Sequence, residues 1–227
     1  MKLITIVSVY GIVFGLSFFC NTANADNNIP SDWRANVIEF SKKNFKHPAW
    51  GFSHSMRDYN LAKSLALQDK VTIDDDVLFA AAYLHDIAAF PHWEKEGINH
   101  ADQGAAIVDT ILNGSGFPVE KIETVRHAIK THMFNRDPVG VESVYLHDAD
   151  ALDWLGAIGI VRILSMIEHN GEQPDSHKIV GMLENYTYNV PNHVISPAGQ
   201  LLAVERKADS MRYLQQLKSE TANLNSL

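Results

Sequence analysis

Residues 77–90 read VLFAAAYLHDIAAF, an almost unbroken apolar run with a histidine and an aspartate set side by side within it. A helix that is apolar on most sides has to be covered on most sides by other elements. Asp74, Asp75 and Asp76 stand directly ahead of the run, where the positive end of a helix dipole favours negative charge. The pattern therefore predicts a central, most buried helix over residues 77–90. His85 and Asp86 are costly to bury there unless they are paired or bound to a metal ion.

The flanking sequence supplies helices to cover that centre. Ser31 and Asp32 can cap a helix carrying Trp33, Val37, Ile38 and Phe40, which ends before Pro48. Further helices are predicted over residues 54–68, 101–112, 119–131, 142–168 and 198–217, with 91–99 and 173–197 as connectors. Gly156 and Gly159 would let a neighbour approach the long helix closely. No alternating strand pattern of any length occurs, and no internal repeat is found. The expected fold is all-α. With 46% hydrophobic and 20% charged residues, the 227-residue chain has enough apolar material for a core and is not intrinsically disordered.

The first 25 residues read differently. Lys2 is followed by an uncharged run over residues 3–20, and Ala23-Asn24-Ala25 stands just before Asp26. This is the pattern of a secretory signal, predicting cleavage, a mature chain of residues 26–227, and a periplasmic or secreted protein with no stable membrane insertion. The alternative is an uncleaved membrane anchor, since the run approaches spanning length. A lipoprotein centred on Cys20 is disfavoured by the bulky Phe18 and Phe19. Cys20 is the only cysteine, so the mature chain has no disulfide and no thiolate ligand. Any metal would be held by carboxylates and some of the eleven histidines. The net charge of -8 excludes a basic footprint for double-stranded nucleic acid.

Chemistry-bearing residues are spread along the predicted helices: His54 with Arg57, then His85-Asp86, His100, His132, Asp148, Asp150 and Asp153. Each has a plain structural explanation by itself: a helix-start histidine, a satisfied core histidine, a dipole-stabilised aspartate. Adjacent His85 and Asp86 would also point roughly 100° apart around a regular helix. Together they suit Zn, Mn, Fe or Ni, and oxygen-rich ligand sets shift the balance towards Mn or Mg. The Gly-rich stretch at residues 113–118 lacks the Lys-Ser/Thr ending of a phosphate loop, and Gly51-Phe52-Ser53-His54-Ser55 lacks the second glycine of a serine-hydrolase elbow. No His-Glu-x-x-His sequence occurs.

The segments GFSHSMRDYNLAKSLA, LFAAAYLHDIA, INHADQGAAIVDTIL, VRHAIKTH and LHDADALDWLGAIGIVR together resemble the HD-domain metal-dependent phosphohydrolases, from about His54 to the C-terminus. The resemblance implies a single HD-type helical domain, with a C-terminal helical extension and the metal site in the helix core. It implies metal ligands His54, His85, Asp86 and Asp150, the last favoured because Ala149-Asp150-Ala151-Leu152 fits the family's Ala-Asp-x-Leu pattern. Asp148, nearly opposite on the helix, is the fallback. His100 and His132 fall where two-metal members place further histidines. A Gly-Tyr-Pro signature is missing, and Ala88 and Ala89 stand where several subgroups carry a lysine, which counts against a cyclic-dinucleotide phosphodiesterase.

The implied reaction is hydrolysis of a nucleotide or small phosphate ester by a metal-activated water, the divalent ion being Mn, Mg, Co, Ni, Fe or Zn. Asp86 and Arg57 are the expected catalytic residues, and Arg57, Lys130 and Arg136 the expected phosphate contacts. Residues 91–99 could cover the site as a lid. Two alternatives stand: an HD-fold di-iron oxygenase, which would need His100 and His132, and a non-catalytic metal- or ligand-binding module. The sequence does not give the oligomeric state.

Overall fold

Asp32 starts the first helix by accepting the backbone N–H groups of Arg34 and Ala35 on its carboxylate. The computed structural model describes residues 32–167 and 176–227. Ser31, the segment 1–25 with Cys20, and Glu168 lie outside the described residues. Among those described, all regular structure is helical, in ten α-helices, and no helix is long and apolar enough to cross a membrane.

The helices are α1 Trp33–Asn44, α2 Phe52–Gln68, α3 Asp75–Leu84, α4 His100–Ile107, α5 Asp109–Leu112, α6 Ile122–Lys130, α7 Val141–Asp153, α8 Gly156–Leu164, α9 Ser176–Asn189 and α10 Pro197–Glu220. Helix α3 is the centre that its sequence requires: every residue from Val77 to Leu84 is buried. It is packed by α1, α2, α6 and α7, and α2 lies along α7. A second, smaller core joins α8, α9 and α10 through Ile160, Ile163, Ile179, Val180, Leu183 and Leu214.

Four expectations are corrected. The central helix stops at Leu84, and a short 3-10 turn, Ile87–Ala89, replaces its predicted last turn. The long helix over 142–168 is two helices, α7 and α8, broken at Trp154-Leu155, and Gly156 takes a φ of +68° with the Arg206 side chain packed over it. Gly159 is needed because a Cβ there would lie 2.2 Å from the Trp154 carbonyl, so the close neighbour is the chain's own turn. The connector over 173–197 contains α9, which buries Ile179, Val180, Leu183 and Thr187. Residues 91–99 do not cover the histidine cluster. Trp93 instead packs on Phe40 and Phe45, and His92 and Trp93 line a groove of about 670 Å³ against α1.

Candidate metal centre

Helices α2, α3 and α7 converge with their polar residues facing inward. Helix α2 begins at a glycine because the backbone of residues 45–47 passes so close that a Cβ on Gly51 would lie 2.3 Å from the His47 carbonyl oxygen. That approach sets His54 within the first turn, facing α7. The early end of α3 has a chemical consequence. Asp86 leaves helical geometry, with φ −95° and ψ 13°, and the two adjacent side chains that a regular helix would splay apart now meet. His85 Nε2 lies 3.2 Å from Asp86 Oδ2.

Each buried imidazole is oriented by a hydrogen bond from its other nitrogen. His85 Nδ1–H donates to the Ala82 carbonyl at 2.9 Å, and His132 Nδ1–H to that of Ile129 at 2.6 Å. His54 Nδ1–H donates to Asp153 Oδ2 at 2.8 Å. A carbonyl or an ionised carboxylate can only accept, so all three rings carry their proton on Nδ1 and turn the Nε2 lone pair inward. In the neutral rings His54 Nε2 and His85 Nε2 then face each other at 3.2 Å as two acceptors. His54 Nε2 also lies 3.1 Å from Asp58 Oδ2, 3.2 Å from Asp150 Oδ1 and 3.7 Å from Asp86 Oδ2. Ligand atoms of His54, Asp58, His85 and Asp150 all fall within 4.8 Å of one another, as do those of His85, Asp86 and His132. Both Asp58 oxygens are buried without a hydrogen-bond partner.

Lone pairs and carboxylates facing one point repel unless a cation joins them, so this donor set fits a divalent ion. Of the four residues that the sequence resemblance implies as ligands, His54, His85 and Asp150 fall in one donor group, and Asp86 stands beside it against His85. Asp86 presents its other oxygen, Oδ1, to His100 Nε2 at 3.4 Å and His132 Nε2 at 3.6 Å, a second set of donors beside the first. Asp148 is turned away: its carboxylate takes the backbone N–H groups of Ile195 and Ser196 at the start of α10, and His147 Nδ1.

The electrostatics follow from burial and neighbours. Burial pushes the Asp86 carboxyl up, but His85, His100 and His132 outweigh it and hold it well below the usual carboxylate range. Asp150 is likewise lowered against burial, chiefly by His54. Burial raises Asp58, and the carboxylates of Asp153 and Asp150 add to that. For His85 burial works downward, but Asp86 prevails and the net shift is upward. His132 is lowered, mainly by burial.

The predicted phosphate contacts are placed elsewhere. Arg57 is held on Asp153, with Nη2 at 2.7 Å and Nε at 2.9 Å from its oxygens, so it braces the partner of His54. Arg136 forks onto Asp102 at 2.7 and 2.8 Å. Lys130 lines a separate groove with Asp102, Glu123, Arg126 and His127. Beside the cluster lies a cavity of about 300 Å³ whose walls include Trp50, Asp86, His132, Asp150, Trp154 and Tyr186. It is also lined by Arg162, which sequence reasoning missed. The Arg162 guanidinium is 1% exposed, lies 3.6 Å from the Trp154 ring centre, and places Nη2 3.2 Å from His54 Nε2 and Nη1 3.1 Å from Asp153 Oδ2. Asp58 was also missed, although it lies at helical spacing, four residues after His54; Asp153, three after Asp150, stood among the chemistry-bearing residues but without a role.

An all-helical core holding a buried histidine–aspartate cluster of this kind defines a domain able to bind a divalent ion. The chain contains an HD domain: the HD domain family matches residues 51–155. No curated protein matches the sequence. A predicted HD superfamily hydrolase from an uncultured Thermotogales bacterium is similar at 26% identity and TM-score 0.58, over 82% of this chain and 90% of that one. An HD-superfamily hydrolase from Bacillus thuringiensis shares the fold at 22% identity and TM-score 0.56, over 82% and 95%. Bacillus subtilis YpgQ, in complex with ADP, shares it at 21% identity and TM-score 0.63, over 82% and 97%.

Proposed function

We propose that this protein is a metal-dependent phosphohydrolase that cleaves a nucleotide or small phosphate ester. The observation that carries this reading is the set of inward Nε2 lone pairs on His54, His85 and His132, met by the carboxylates of Asp86 and Asp150 at the edge of the cavity. A divalent ion held by His54, His85, Asp86 and Asp150 supplies Lewis acidity and a bound water acidified towards neutral pH. Asp86 and Asp150 stay anionic. His132, lowered by burial, is neutral near pH 7 and offers Nε2 as a proton acceptor at the cavity edge. Arg162 Nη2, which points to His54 Nε2 at 3.2 Å beside the cavity, would be the N–H placed to donate to a phosphoryl oxygen with His54 serving as a ligand. Trp50, Phe134, Trp154 and Tyr186 form the apolar wall for the rest of the substrate. Such a wall suits a base or another flat group, and the fold neighbour YpgQ is seen with ADP.

The signal pattern over residues 1–25 supports placing this activity outside the cytoplasm, on phosphate esters met after export. The test is release of phosphate or pyrophosphate by the purified protein from a panel of nucleotides and simple esters, with Mn, Mg, Co, Ni or Fe, beside Asp86→Ala. Metal-dependent turnover that falls to background in Asp86→Ala is the expected result, and unchanged turnover in that variant overturns the reading.

One observation favours a second reading. Asp86 faces two donor sets through its two oxygens, which also suits a di-iron oxygenase. Two tightly bound irons per purified chain and a silent phosphate panel would select it.

A further inference from the structure

We propose that Asp58 is a fifth protein donor to the ion at the first donor set, completing a shell of two imidazoles and three carboxylates. This rests on the metal-dependent reading above and refines which residues hold the ion.

Asp58 lies one helical turn after His54 on α2, on the same face. Its side chain is fully buried, and neither oxygen has a hydrogen-bond partner. A buried carboxylate normally accepts several hydrogen bonds or pairs with a cation, and one left bare is strongly destabilising. Asp58 Oδ2 stands 3.1 Å from the inward Nε2 atom of His54 and 3.7 Å from that of His85. In the neutral rings, whose Nδ1 protons go to Asp153 and Ala82, both are lone-pair acceptors and neither donates to it.

The spacing fits a shared ion. Donors about 2.1 Å from one ion stand about 3.0 Å apart at neighbouring octahedral corners and about 3.4 Å apart in a tetrahedron. The separations from His54 Nε2 are 3.1 Å to Asp58, 3.2 Å to Asp150 and 3.2 Å to His85. Asp58 thus approaches His54 Nε2 as closely as Asp150 and His85 do and more closely than Asp86 at 3.7 Å, while standing 3.7 Å from His85 Nε2, within one group of four donors. Five protein donors exceed the four of a tetrahedral zinc site and suit an ion of higher coordination, with three carboxylates favouring Mn, Mg or Fe over Zn. An octahedral ion would then keep one position for water or substrate.

The test uses Co(II) as the probe, on the wild-type chain and on Asp58→Ala, which leaves no side-chain oxygen at this position. Removal of a donor is expected to lower the coordination number, raising and shifting the visible Co(II) absorption. It is also expected to weaken Co(II) binding, read by chelator competition, by about tenfold or more. A superimposable spectrum with affinity changed by less than about twofold overturns the assignment. X-ray absorption of the Co(II)-loaded wild-type chain gives a readout that needs no variant. Five or six light donors support the proposal, and four overturn it while leaving the metal-dependent reading intact. A wild-type chain that takes up no divalent ion instead overturns that reading itself.

Discussion

Asp153 joins the metal cluster to the rest of the fold, and its replacement by asparagine should be felt in two separate measurements. The carboxylate is 2% exposed and receives His54 Nδ1–H at 2.8 Å, Arg57 at 2.7 Å and the Arg162 guanidinium at 3.1 Å. The Arg57 arm is a third exposed, so solvent screening leaves it worth little. Arg162 is the costly partner: at 1% exposure it would keep its charge with its closest counter-ion gone. Breaking a buried pair from one side costs about 3–5 kcal/mol, and with Asp58 and Asp150 still nearby the lower end is expected. For a chain of this size about 3 kcal/mol corresponds to a fall in Tm of roughly 6–12 °C. Asp153 also fixes the tautomer of His54, and loss of such a support weakens metal binding by about 10–100-fold. Thermal melts in chelator read the first effect and chelator competition the second. Arg57→Ala, run beside it, should cost no more than about 1 kcal/mol. An Asp153→Asn protein that melts within about 2 °C of wild type and binds metal equally well would refute both the buried pair and the tautomer argument.

Two further outcomes follow from the same structure. His85 is raised above its ordinary 6.5, so in the metal-free chain the charged form contributes stability below that pH, and the contribution is lost as pH rises through the raised value. Metal needs the neutral ring, so the gain in Tm on adding Mn should widen as pH rises from about 6 to about 8, while His132, already lowered, does not compete; a gain that is flat across this range would contradict it. Gly159→Ala should destabilise the fold by about 1–3 kcal/mol or more, because the new methyl meets the Trp154 carbonyl, and denaturant melts with an unchanged midpoint would show that this turn can yield.

The helical architecture was legible because apolar residues recur at helical spacing and no strand pattern competes with them. The break after Leu84 was not, since Ile87, Ala88, Ala89 and Phe90 continue the apolar run and a 3-10 turn has no periodicity of its own over three residues. That hidden break is what lets His85 and Asp86 act together. Helix α9 was hidden for a different reason: one of its four buried positions is the polar Thr187, while the aromatic Tyr188 beside it is exposed. At the site, the histidines and aspartates of the motif could be picked out by their order, but Asp58 could not. No motif marks it, and only the packing of α2 on α7 reveals that Arg57 goes to Asp153 and Asp58 goes inward.

The cations were the least legible residues, and the reason bears on function. Arg57, Lys130 and Arg136 are chemically suited both to a phosphate and to a carboxylate, and the sequence cannot tell which is in reach. Arg57 meets Asp153, Arg136 meets Asp102, and Lys130 lines another groove. Among the described residues that line the cavity, Arg162 is the one arginine or lysine, while Asp86 and Asp150 both face it. The side chains alone thus give this cavity no surplus of positive charge with which to hold a phosphate. On the phosphohydrolase reading, the bound ion has to supply the attraction as well as the activated water, so substrate binding and turnover should depend on metal together. A phosphate ester that binds the metal-free chain as tightly as the loaded one would break that link.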